Sequence, residues 1–169
     1  MASLNNYILK IYKSKTTLIE QLKGLEYDVS SYDNFSINEI DAMIENEQMD
    51  MLVSREDGTK IYVKYLMTKT IRKETVDQII EDLFEIENIL EKKDTLVIVS
   101  LDDPNDTITE KIRYEFDSSG IHIIIRSLNR IQFNILNRTL VPPATILNES
   151  EIQELKRQYN LEDLSRFIY

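Results

Sequence analysis

The residues best spaced for chemistry lie in "MDMLVSREDGTKIYVKY", residues 49–65, where Asp50 opens one alternating stretch and Lys64 ends the next. An aspartate at a strand start, with a second carboxylate two residues before a lysine, can hold a divalent cation that activates water. Asp50 supplies the first acid and Lys64 the lysine, but the position two before it is Tyr62. A phenol with an ordinary pKa of ~10 does not replace a carboxylate as a hard-cation ligand at neutral pH. The stretch therefore predicts a scaffold. Hydrolysis here would need another carboxylate, Glu47 or Asp57, beside Asp50 and Lys64.

Other chemistries are narrowed by what the chain lacks. It has no cysteine and one histidine, His122, so a thiolate nucleophile, a disulfide and a Cys/His zinc site are excluded, and a histidine-based triad is not expected because His122 reads as structural. His122 sits in the apolar run "IHIII", which places it opposite the main core face or hydrogen-bonded within the core. Three isolated glycines build no phosphate-cradling loop. The cluster "DDPND", residues 102–106, lacks the spacing of a calcium loop and reads as a turn, with Asp106 capping a helix. No cofactor and no metal are expected.

The elements that must position Asp50 and Lys64 follow from periodicity. Leu4, Tyr7, Ile8, Ile11, Tyr12, Leu18, Ile19 and Leu22 predict a helix over 3–23 that stops at Gly24, with Lys10, Lys13, Lys15 and Lys23 on a solvated face. Ser36 and Glu39 form a capping box before a second helix. "MDMLVS" and "TKIYVKYL" predict a hairpin turned at Gly58. A helix follows between Lys73 and Lys92, with Val76, Ile79, Ile80, Leu83, Phe84 and Leu90 as its apolar stripe and Asp77, Glu81 and Glu85 on another face. "TLVIVSL" and "IHIIIRS" read as strands buried on both faces, and between them Ile108, Ile112 and Phe116 mark the buried edge of a helix starting near Pro104. Residues 133–141 predict one more strand, "VPP" halts pairing, and Asn148 with Glu151 opens a helix over 149–159. The order implies an α/β fold with a three-layer mixed sheet in residues 1–136 and a short α/β segment in 137–169.

At 169 residues, 42% apolar and 30% charged, the chain suits one sizeable domain with a small appendage. The absence of cysteine suggests an intracellular, reducing compartment, and no apolar run suggests secretion or a membrane span. The net charge is −10, and residues 128–169 hold five basic and five acidic side chains, so the acidity belongs to the first part. Autonomous DNA binding, which is driven by phosphate neutralisation, is not expected of such a surface. An acidic adaptor that meets a basic partner through Asp77, Glu81 and Glu85 is an alternative.

Helix, antiparallel strands, helix and parallel strand is also the order of the restriction-endonuclease-like core, and the Asp50–Tyr62–Lys64 pattern resembles its metal site with one ligand missing. Residues 140–168, "LVPPATILNESEIQELKRQYNLEDLSRFI", resemble the join between the two domains of the fifth shared subunit of eukaryotic RNA polymerases, whose second domain has a homologue among the small subunits of archaeal polymerases. Leu140, Val141, Pro142, Glu151, Tyr159, Leu164 and Arg166 match the family pattern; Arg138 and Ala144 stand where it has histidines, and Ser165 where it has proline. The resemblance implies a noncatalytic subunit with a nuclease-like jaw domain and a shortened C-terminal assembly segment. Its implied partners are the largest polymerase subunit, contacted through the seven matching residues, the other polymerase subunits, and downstream DNA within the complex only. It implies neither a membrane partner nor a homo-oligomer. Pro104, the one match to the family's DNA-proximal loop motif, would lie near downstream DNA, although the aspartates around it repel phosphate. The resemblance implies the nucleus for a cellular protein, and the infected-cell cytoplasm or virion for a member from a large DNA virus.

Overall fold

Period-two alternation in residues 51–66 produces the antiparallel hairpin, strands β1 (Met51–Ser54) and β2 (Lys60–Leu66), with Met51 opposite Val63 and Ser54 opposite Lys60. The coordinates come from a computed structural model, which describes residues 2–67, 70–135 and 149–159. β3 (Thr95–Ser100) and β4 (His122–Ser127) extend the sheet in parallel, in the order β1-β2-β3-β4. The chain divides into two units, Met1–Asn134 and Ile135–Tyr169. The first holds the whole described sheet and helices α1 (Ala2–Gly24), α2 (Ile37–Glu45), α3 (Lys73–Ile80) and α4 (Asp106–Ser119); the second holds α5 (Glu149–Tyr159). The fold is thus α/β, with five helices and an open, mixed four-stranded sheet among the described residues.

Alternation also divides the core. Met51, Val53, Ile61, Val63, Tyr65, Val97 and Val99 face one cluster, closed by Ile8, Ile11, Leu18, Ile19 and Leu22 of α1 and Ile40 of α2. Leu96, Ile98 and Ile123 face another, closed by Val76, Ile79 and Ile80 of α3 and Ile108 of α4. β3 is buried on both faces, as its continuous apolar run requires. β4 departs from expectation: it is an edge strand, with His122 and Arg126 exposed and Ile124 and Ile125 half-buried. Among the described residues no helix is long and apolar enough to cross a membrane.

Several local details differ from the periodicity. Helix α1 ends at Gly24 as expected, but glycine is not the residue that turns the chain. The left-handed residue is Glu26 (φ 65°), and Tyr27 N–H to Leu22 O (3.0 Å) with Glu26 N–H to Lys23 O (3.1 Å) completes a Schellman-type end. Asn105, not Asp106, caps α4: its Oδ1 accepts from Ile108 N–H at 3.0 Å. Phe116 is 55% exposed, so the buried edge of α4 ends at Ile112. Beyond Ile80 the helix widens into a π-helical stretch, Glu81–Ile86, and Leu90 is buried from the loop after it. Residues 131–135 form no strand; the rest of the strand expected over 133–141 lies outside the described residues, as does the expected cap Asn148. The capping box of α2 is present, with Ser36 N–H to Glu39 Oε2 at 2.6 Å and Glu39 N–H to Ser36 Oγ at 3.3 Å.

Candidate functional site

Pairing Met51 with Val63 brings the residue before β1 alongside the end of β2, and this register assembles the site. Tyr62 and Lys64 are two residues apart and project on one face of β2. The Asp50 carboxylate meets both: Lys64 Nζ donates to Oδ2 at 2.6 Å and the Tyr62 hydroxyl donates to the same oxygen at 3.2 Å. Oδ1 accepts the Tyr65 backbone N–H at 2.9 Å. Asp50 is 21% exposed and Lys64 35% exposed, so the pair is partly withdrawn from water. Burial and the neighbouring Asp50 charge both push the Tyr62 phenol well above its ordinary range, since each penalises a phenolate. Tyr62 is therefore a neutral donor, the reverse of a metal-ligating carboxylate.

Behind Asp50, α1 contributes a buried cation. Lys15 is only 1% exposed, its Nζ donates to Met49 O at 2.9 Å, and the rings of Tyr32, Phe35 and Tyr65 stand 5.7–5.9 Å from it. Burial lowers its pKa to about 8, and Asp50 limits the fall. Reading Lys15 as part of a solvated basic face is thus corrected, whereas Lys10, Lys13 and Lys23 of that face are exposed. The signal is in the spacing: Lys15 continues the i, i+4 row of Ile11 and Ile19, which both point into the core. Tyr65, buried beside Ser14, has its phenol pushed upward by desolvation, and its hydroxyl makes no hydrogen bond of good geometry.

The two other carboxylates that could complete a metal pair fall differently. Glu47 (φ 55°) lines a cleft of about 390 Å³ together with Asp50, Lys64, Ile44, Leu66 and Met67. Asp57 is in the hairpin turn, at the far end of β1 from Asp50. There it accepts Thr59 N–H at 2.8 Å and pairs with Arg55 at 3.0 Å, and the Thr59 N–H holds its carboxyl below the usual range. Among the described residues no group of three histidine, aspartate or glutamate side chains is placed to hold a metal ion.

The other sequence candidates are scattered. Pro104 lies in the loop after β3, at the carboxyl end of the parallel strands, the same end of the sheet as Lys64. Beside it Asp103 is engaged by Arg130 (2.8 Å), so the loop's acidity is partly neutralised. On the α3 face Asp77, Glu81 and Glu85 are exposed, and Asp77 pairs with Lys111 at 2.5 Å. His122 is exposed on β4, its Nδ1 3.2 Å from Thr95 Oγ1. Glu151 is in the first turn of α5 and Tyr159 ends that helix. Leu140, Val141, Pro142, Leu164 and Arg166 lie outside the described residues, with Arg138, Ala144 and Ser165. No protein-family model matches the chain, and no curated protein matches it significantly.

Proposed function

We propose that this chain is a noncatalytic subunit of a multisubunit DNA-dependent RNA polymerase. Residues 1–136 would form a restriction-endonuclease-like jaw near downstream DNA, and residues 137–169 would dock on the largest subunit. The observation that carries the noncatalytic part is the coordination of Asp50: both oxygens are taken by Lys64, Tyr62 and the Tyr65 N–H. An ammonium and a neutral phenol thus share the Oδ2 that a divalent ion would need, and neither can serve as its second carboxylate. What supports the polymerase part is the resemblance of residues 140–168 to the family's domain junction, together with an element order that suits its jaw. Within the assembly the work is positional, a rigid sheet presenting its surface beside nucleic acid that other subunits grip. The test is affinity purification of the tagged protein from its source. Recovery of the two large polymerase subunits in stoichiometric amounts is expected, and their absence at low salt would overturn the reading.

A further inference from the structure

The two edges of the sheet are treated unlike each other. On β1 the Tyr32 hydroxyl accepts from Leu52 N–H at 2.9 Å and donates to Leu52 O at 3.2 Å, while Asp28 N–H donates to Ser54 O at 2.9 Å. That edge is stoppered by the chain's own groups. On β4 the Leu128 N–H reaches Ser100 O at 2.7 Å, which sets the phase of the ladder. By alternation residues 122, 124 and 126 bond to β3, and Ile123 and Ile125 turn their N–H and C=O groups outward. Among the described residues nothing pairs with those outward groups.

The side chains beside this open edge carry a pattern. His122, Ile124 and Arg126 share one face, an apolar centre between an exposed imidazole and an exposed guanidinium. Arg126 has no carboxylate partner among the described residues, and Lys10 approaches the segment after β4 through Asn129 at 3.4 Å. This basic strip stands out on a chain of net charge −10. A second copy answers it poorly, because antiparallel pairing about Ile124 would set Arg126 against His122, which offers the guanidinium no carboxylate. Nucleic acid would answer the charges but not the alternating donors and acceptors of a strand edge, which match a peptide backbone.

We propose that the outer edge of β4 accepts an extended segment of a partner protein, in which an apolar residue is flanked on the same face by acidic ones. This goes beyond the polymerase reading and does not depend on it. The probe is a labelled peptide containing Glu-Thr-Val-Thr-Glu, titrated into the full chain to about 1 mM, the weak range expected of a single added strand. Binding is expected, with hydrogen-exchange protection gained at the Ile123 and Ile125 amides. It should weaken about tenfold in Arg126→Glu, where an attractive cross-strand pair becomes repulsive. A peptide N-methylated at the edge-facing amides should not bind. The proposal is overturned by no binding at the highest concentration, by binding indifferent to Arg126→Glu and N-methylation, or by protection elsewhere. It is equally overturned if a labelled DNA duplex binds in an Arg126-dependent way while the peptide does not.

Discussion

The two ends of the β1–β2 hairpin each carry an aspartate, and the contrast between them separates a carboxylate that shapes one turn from one that joins distant parts of the fold. Asp57, at the turn, is an exposed acceptor whose partners, Thr59 and Arg55, are its near neighbours in sequence. Asp50, at the other end, gathers donors from Tyr62, Lys64 and Tyr65, with Lys15 of α1 buried behind it. The turn aspartate shapes one loop. The other joins the hairpin ends, and its field reaches the cation that ties α1 to Met49. A carboxylate surrounded in this way has become a structural anchor, and its replacement should be felt throughout the first unit.

The largest effect that would sharpen the contrast is expected from Asp50→Ala. It leaves the Lys64 ammonium, the Tyr65 N–H and the Tyr62 hydroxyl without their acceptor, and should cost about 3 kcal/mol in a urea melt, discounted for partial exposure. A loss no greater than that of Asp57→Ala would break the comparison.

Lys15 gives the next effect, as a pH dependence. Its folded pKa of about 8 lies below the ordinary 10.5. Below pH 8 both states hold the proton, while between 8 and 10.5 the unfolded chain binds more, so stability rises with pH in that window. The rise should reach about 2–3 kcal/mol and be absent in Lys15→Met. Tyr62 and Tyr65, whose folded phenols titrate higher than in the unfolded chain, oppose it once pH exceeds their ordinary value near 10. The slope is therefore best measured between pH 7.5 and 10. A wild-type profile that is flat there, or that falls, would contradict the buried position of Lys15.

Tyr62→Phe removes one of three donors to Asp50 and should cost about 1 kcal/mol, seen as a small shift in melt midpoint. Asp57→Ala should have the smallest effect of the set, because solvent replaces the Thr59 and Arg55 contacts at an exposed turn. Its stability contribution should fade as pH drops through the lowered carboxyl pKa. An acid-limb titration of wild type against Asp57→Ala checks this, and identical limbs would remove the assigned role.

Much of this centre is legible in the residues alone. Alternation places the hairpin, and the two-residue step from Tyr62 to Lys64 puts both on one face, so the missing carboxylate can be read directly. The capping box of α2 is a local code of two residues and is equally plain. Lys15 misleads because charge type and position disagree: its place in the Ile11–Ile19 row says core, but only the Met49 carbonyl and three rings from elsewhere in the chain make burial tolerable. β4 misleads because "IHIII" is apolar enough for a central strand, and nothing local specifies which strand of a sheet ends at the edge. Asn105 and Asp106 are both good caps, and the choice between them turns on which side-chain oxygen reaches Ile108 N–H.

The central claim, that Asp50 is held as an anchor and not as a metal ligand, is tested most directly by magnesium- and manganese-dependent cleavage of supercoiled DNA at micromolar protein. The account predicts no cleavage above a metal-free control, for wild type and Asp50→Ala alike. Cleavage by the wild type that disappears in Asp50→Ala would contradict it.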